Sequence, residues 1–245
     1  MNVFFADIRQ MIIPDRGGVH GPLPPLLVAM TVVTGLVDSF SYLALGHVFV
    51  ANMTGNVVFL AFALAGARGF SLPAVVVALA AFGLGALAGG ALGSRLGRYR
   101  GRLLSTTAAA QALLLTAAAV IAALAPSPMS AGDRYGLIVL LAASMGAQNA
   151  TARRLALPDL TTTVLTLTIT GIAADSAPAG GTGSKAGRRL VSVTAMLVGA
   201  LAGALFIIHA QIVYPLVIAA ATVAVIAVTT RVLVRSDPPW ARASG

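Results

Sequence analysis

The residues best equipped for chemistry crowd into one apolar stretch, Gly35-Leu-Val-Asp-Ser-Phe-Ser-Tyr-Leu-Ala-Leu-Gly-His-Val-Phe-Val-Ala-Asn-Met-Thr-Gly-Asn56. Asp38, Asn52, Thr54 and Asn56 stand among Phe, Val, Leu and Ala, with Gly35, Gly46 and Gly55 between them. A carboxylate at the centre of a bilayer costs about 2.5–3.5 kcal/mol even on the lenient insertion scale. Asp38 is therefore either a neutral acid hydrogen-bonded to a neighbouring helix or a proton or cation site facing a cavity, and intramembrane acids favour the second. In Asn52-Met-Thr-Gly-Asn56, Thr54 is expected to cap a helix beginning at Gly55, with Asn52 or Asn56 bonding its free backbone groups. The β-branched and aromatic run Val48-Phe-Val-Ala51 favours an extended approach to it. Such a break presents free N–H groups and a positive dipole end at membrane depth, tolerated only where protein or water surrounds it. The plainer alternative is that Asn and Thr tie helices together.

A weaker copy of the same stretch lies about 110 residues further on. Gly35-Leu-Val-Asp38 aligns with Gly146-Ala-Gln-Asn149, and Met53-Thr-Gly-Asn56 with Leu165-Thr-Leu-Thr168. Gly85-Ala-Leu-Ala-Gly89 recurs letter for letter as Gly199-Ala-Leu-Ala-Gly203. The three offsets, 111, 112 and 114, agree apart from small insertions, which points to an internal duplication. Asp38 thus has the neutral Asn149 as its mate, so one titratable centre is expected rather than a symmetric pair. Gln148 and Asn149, adjacent amides in an apolar run, need partners. Thr162, Thr166 and Thr170 fall at i, i+4 and i+8 and share one helical face, either as a polar track or as packing. The expected substrate- or ion-binding set is Asp38, Asn52, Thr54, Asn56, Gln148, Asn149, Thr162 and Thr166. Gly85, Gly89, Gly93, Gly199 and Gly203, spaced by four, read as close helix packing, between repeats or between subunits. Gln111 stands alone in its apolar run and is expected to be satisfied locally. Arg153 and Arg154 read as side chains snorkelling to headgroups, or as an anion site.

The elements that must position these residues follow from composition. Of 245 residues, 58% are hydrophobic and 9% charged, against about 25% charged in a soluble domain. The chain is therefore expected to be an integral membrane protein. A spanning helix needs about 20 apolar residues, and candidate segments run over 23–45, 48–67, 72–93, 103–125, 135–157, 160–174 (short and threonine-rich), 190–209 and 212–234. The N-terminal residues are interrupted by Asp7, Arg9, Asp15 and Arg16 and do not read as a signal peptide. They form either a short amphipathic interfacial helix or a disordered tail.

Loop charge sets the expected orientation. If 48–67 and 160–174 both crossed, the arginines at 95–102 would lie opposite the two tails. If each returns to its own side, Arg95–Arg102, Arg153–Arg154, Lys185–Arg189 and both tails share the cytoplasmic face, as the positive-inside rule requires. Each half then has three crossings, and two such halves are oppositely oriented. The expected fold is all-α and polytopic, with about six full transmembrane helices and two broken or re-entrant half-membrane segments in two inverted repeats. Residues 1–22 form a cytoplasmic tail or interfacial helix, 23–125 the first repeat, 126–234 the second, and 235–245 a cytoplasmic tail.

Several function classes recede. The absence of cysteine excludes disulfides, thiolate metal sites and a cysteine nucleophile. His20, His47 and His209 are scattered, there is no His-Glu-x-x-His zinc site or Walker A loop, and no metal, cofactor or enzymatic activity is expected. The net charge of +9 is explained by loop arginines, with no basic face interleaved with aromatics to take nucleic acid. The expected function is a small-molecule secondary transporter or permease with Asp38 as its coupling acid. The alternatives are a membrane structural or assembly factor and, further off, an intramembrane enzyme. The expected partners are the lipid bilayer and a small molecule or ion, with room for a homo-oligomer.

Gly35-Leu-Val-Asp38, Phe49-Val-Ala-Asn-Met-Thr-Gly-Asn56, and Gly146-Ala-Gln-Asn149 followed by the threonines at 161–170 resemble the YoaK-type family of uncharacterised bacterial inner-membrane proteins. The resemblance covers roughly residues 26–234. The threonine-rich second copy departs from that family's Thr-Gly form. What the resemblance implies is a multi-pass protein of the bacterial cytoplasmic membrane.

Overall fold

The computed structural model describes residues 3–15, 18–156, 165–176, 179–181 and 185–242. Among them the chain forms nine α-helices: α1 (Val3–Ile12), α2 (Leu23–Ala44), α3 (Met53–Leu64), α4 (Leu72–Leu96), α5 (Arg100–Leu124), α6 (Ala131–Leu155), α7 (Leu165–Ala174), α8 (Ala186–His209) and α9 (Tyr214–Leu233). Local chemistry sets several boundaries. Pro24, Pro73 and Pro215 stand in the first turns of α2, α4 and α9, where a missing N–H costs nothing. Ser71 and Ser130 accept hydrogen bonds from the Ala74 and Asp133 N–H groups and cap α4 and α6.

α2, α4, α5, α8 and α9 are long and apolar enough to cross a bilayer. α6 is as long, at 25 residues, but Asp133, Arg134, Gln148, Asn149, Arg153 and Arg154 lower its hydropathy. The segment 48–67, long enough on paper to be one spanning helix, is not one. Residues 45–52 are non-helical, and α3 has 12 residues, which rise about 18 Å against a hydrocarbon core of about 30 Å. The expected helix start at Gly55 is corrected to Met53, with Asn52 at the N-cap and no side-chain capping bond there. The N-terminal tail takes the helical one of its two readings: α1 packs on α8 and α2, with Met11 buried and Gly187 of α8 beneath Phe4 and Asp7.

The core is built from two matching helix crossings, α4 on α6 and α2 on α8, with α5 against α9 between them. At the first crossing, a Cβ placed on Gly85 would lie 2.0 Å from the Ala143 carbonyl oxygen, and one on Gly146 2.1 Å from the Phe82 oxygen. At the second, Gly199 faces the Val32 oxygen at 2.1 Å and Gly35 the Met196 oxygen at 2.4 Å. Val32 and Gly35 precede Ala143 and Gly146 by 111 residues, while Phe82 and Gly85 precede Met196 and Gly199 by 114. The two crossings are thus made by corresponding residues. One turn on, Gly89 meets Ala147 and Ala150, and Gly203 meets Leu36 and Ser39, again at those offsets. Only glycine lets backbones approach this closely, which is how helices associate where lipid is as apolar as leucine. The outer faces carry exposed Leu84, Leu87, Leu113, Leu197, Val225 and Val228, as a bundle surrounded by hydrocarbon requires.

A candidate site at the break before α3

Asp38 lies on the inner face of α2, 4% exposed. Its Oδ1 accepts hydrogen bonds from the Val50 N–H at 3.1 Å and the Ala51 N–H at 2.8 Å. Oδ2 is buried and has no hydrogen-bond partner. The Val50 and Ala51 N–H groups thus converge on one carboxylate oxygen just ahead of α3.

Asn56 holds the same segment from the other side. Fully buried, it accepts from the Phe49 N–H through Oδ1 at 2.9 Å and donates from Nδ2 to the Phe49 carbonyl at 2.6 Å. This side-chain amide pairs with extended backbone as a neighbouring β-strand would, so Phe49 needs no sheet. Gly55 is required beside it, because a Cβ there would lie 2.8 Å from the Phe49 ring. That ring stacks with Tyr42 and Phe59 at centroid distances of 5.0 and 5.5 Å. Asp38, Asn56 and this aromatic stack fix the chain where it changes from extended to helical. Asn52 and Thr54, by contrast, are exposed at the start of α3.

Gln148 lies elsewhere, in a polar chain through the middle of the bundle. Gln111 of α5 donates to Gln148 Oε1 at 2.6 Å, and Gln148 Nε2 donates to Thr34 Oγ1 at 2.9 Å and the Met30 carbonyl at 3.4 Å. Thr107 and Thr151 join α5 to α6 at 2.9 Å on the same side. All five side chains are buried, and Gln111 Oε1 has no partner. The expectation that Gln111 is satisfied locally is thus corrected. Its partner is 37 residues away, because a lone amide in an apolar helix associates with another amide when one is in reach. Thr34, Thr107 and Thr151 were not singled out from sequence, since threonine is common in spanning helices. The signal available was Gln111 itself, an unpaired amide matching the unpaired amide at 148. The chain has no copy in the other half, where Val37 and Val225 hold the positions matching Gln148 and Gln111.

In the second copy, Asn149 donates from Nδ2 to the Met145 carbonyl at 2.9 Å. Thr162 lies outside the described residues. On α7, Thr166 and Thr170 are exposed and Thr168 is 8% exposed. The inward threonine is therefore Thr168, the residue aligned with Asn56, and not the face carrying Thr166 and Thr170. Arg189 of α8 lies across Gly171 and bonds Asp175 at 2.6 Å, tying the end of α7 to α8. Gly93 meets the aliphatic stem of Arg154. No group of three His, Asp or Glu side chains comes together among the described residues.

Apolar helices crossing through glycine contacts, one buried acid and an internal polar chain define a polytopic α-helical membrane protein. The chain belongs to the family described as protein of unknown function DUF1275, whose model matches residues 26–229. It is similar to the UPF0700 transmembrane protein YoaK of Bacillus subtilis (strain 168), with 32% identity over 151 residues. That match covers 61% of this chain and 65% of the relative, so the chain spans less than two thirds of the relative's length. No solved structure matches.

Proposed function

We propose that the protein is a secondary transporter or permease for a small molecule or ion, with Asp38 as its coupling acid. One observation carries the reading: Asp38 grips the break before α3 with one oxygen while its other oxygen is buried and unbonded. Protonating the acid weakens the hold on Val50 and Ala51, because hydrogen bonds to a neutral acceptor are roughly half as strong as those to a charged one. Occupancy of Oδ2 by a proton or cation is thereby linked to the geometry of the half-helix. The exposed side chains of Asn52 and Thr54 offer neutral oxygen ligands at the start of α3.

The reading extends to topology. α2 with α6, α3 with α7, α4 with α8 and α5 with α9 make corresponding contacts, which supports two repeats. With α3 and α7 returning to their own side, six helices cross, the halves are inverted, and the arginine-rich ends and both termini face the cytoplasm of a bacterial inner membrane. The polar chain Gln111–Gln148–Thr34 lies near the midpoints of α5 and α2, the depth at which inverted-repeat carriers hold substrate.

A second reading, a membrane structural or assembly factor, is favoured by the fact that Asn56 and Gln148 spend their hydrogen bonds on the protein itself. Asp38→Asn and Asp38→Ala separate the two. Asparagine keeps an acceptor for the Val50 and Ala51 N–H groups but cannot ionise; alanine loses the grip as well. In proteoliposomes with a pH-sensitive dye inside, a transporter with Asp38→Asn folds normally yet loses proton-coupled flux, whereas Asp38→Ala also loosens α3. Unchanged pH dependence of flux in Asp38→Asn excludes the coupling role.

A further inference from the structure

The end of the bundle where α5 begins and α9 finishes carries a concave cleft of about 700 Å³, lined by Tyr99, Arg102, Arg231, Arg235, Asp237 and Arg242. Four guanidinium groups share it with one carboxylate. Asp237 bonds Arg242 through both of its oxygens, which leaves Arg102, Arg231 and Arg235 with no acidic partner among the described residues. Arg231 in the last turn of α9 and Arg235 in the 3-10 turn that follows it are four residues apart, close enough for their like charges to repel. Arg102 brings a third charge from α5, held over the Tyr99 ring at 5.0 Å. α5 starts at this cleft with no side-chain cap on its first N–H groups, so its positive dipole end adds to the same field.

The wall that completes the cleft is fixed. Asp237 turns the chain with a left-handed backbone, φ 47°, and residues 239–241 fold back so that Trp240 is 4% exposed. The Trp240 ring fills the space above Gly21 and Gly101, where Cβ atoms would lie 2.4 and 3.2 Å from it. The tail is thereby clamped across the start of α5, and Asp237 and Arg242 are held opposite Arg102.

We propose that this cleft binds a phosphate-bearing anion. Three unneutralised guanidinium groups in one concavity form an unfavourable arrangement that a doubly accepting oxyanion relieves, and planar guanidinium forks match phosphate oxygens in pairs. The position suits a phospholipid headgroup, since the cleft sits where the apolar helices end; a soluble phosphoester offers the same chemistry. The inference is independent of transport.

The test uses the full chain in dodecyl maltoside, titrated separately with phosphatidylglycerol, phosphatidylcholine and inorganic phosphate, with thermal unfolding and native mass spectrometry as readouts. Arg231→Gln with Arg235→Gln removes two charges from the cleft. Arg68→Gln with Arg95→Gln removes two charges from exposed positions outside it. Phosphatidylglycerol should bind in preference to phosphatidylcholine, and the cleft variant should weaken it about thirtyfold, while the control changes it by less than about threefold. If inorganic phosphate stabilises the protein through the same arginines and phosphatidylglycerol does not, the cleft serves a soluble phosphoester. Equal losses in the two variants, or no preference for either anion over phosphatidylcholine, overturns the proposal. Should the glutamine pair melt early without ligand, Arg231→Lys with Arg235→Lys keeps the charge and loses the paired geometry; unchanged phosphate affinity there is equally fatal.

Discussion

Adding one methyl group at Gly85 tests the paired crossings directly. Its Cβ would come 2.0 Å from the Ala143 carbonyl oxygen, through backbone on both sides, so no side chain can swing away and α4 must retreat from α6 by more than about 1 Å to regain normal contact. Overpacking of this kind costs about 1–3 kcal/mol, and an overlap this deep belongs at the upper end. Alanine recovers about 1 kcal/mol of helix propensity over glycine, so the net loss should be about 2 kcal/mol. Gly199→Ala meets the Val32 oxygen at 2.1 Å and should cost the same within about 0.5 kcal/mol. Gly83→Ala and Gly90→Ala lie on α4 with nothing within 4 Å and should be neutral or stabilising by up to about 1 kcal/mol. Gly146 meets α4 at the same crossing, so Gly85→Ala with Gly146→Ala should cost less than the sum of the two, since helices already parted admit the second methyl. Circular dichroism at 222 nm, followed through heating in detergent, reads all six proteins. Equal melting of Gly85→Ala and Gly90→Ala would refute the close crossing, and a large difference between Gly85→Ala and Gly199→Ala would refute the equivalence of the two.

Other consequences are separable. Asn56→Ala leaves the Phe49 N–H and carbonyl unpaired and should destabilise by about 2–4 kcal/mol, with faster hydrogen exchange confined to residues 49–56; uniform exchange across the bundle would contradict the local clamp. Gln111→Leu and Gln148→Leu should each destabilise, and their double-mutant cycle should give a coupling of about 0.6–1.7 kcal/mol, with a zero coupling refuting the direct bond. His20, ahead of α2, is held below the usual histidine pKa by burial first and then by the charges of Arg100 and Arg188. The unfolded chain takes up this proton near pH 6.5 and the folded chain only at lower pH, so the unfolded state binds more protons and stability falls as pH drops below that value. His20→Phe should flatten the melting curve between pH 7 and 5, and an unchanged slope would remove His20 as the cause.

Membrane class and helix ends were legible because they depend on composition along the chain. The apolar runs located α2, α4, α5, α8 and α9, and the exact recurrence of Gly85-Ala-Leu-Ala-Gly89 marked the residues at which helices meet. The break at 45–52 was legible as a polar anomaly, but its cause was not. The local pattern points to Thr54 as the cap, whereas the bonds are made by Asp38 and Asn56, reaching across 12 and 7 residues to extended backbone. Gln111 looked solitary for the same reason: its partner is near in space and remote in sequence.

The sequence by itself determined that this chain lives in a bilayer, that the run Gly85–Gly89 recurs at Gly199–Gly203, and that one acid sits where an acid is costly. Those conclusions rest on transfer free energies and local periodicity, which each residue carries with it. Only the tertiary structure decided which oxygen of Asp38 is occupied, which amides face each other, and that α3 stops short of a full crossing. Each depends on which backbone groups arrive beside which side chains, and that is set by how closely the glycine faces of α2, α4, α6 and α8 let the helices approach.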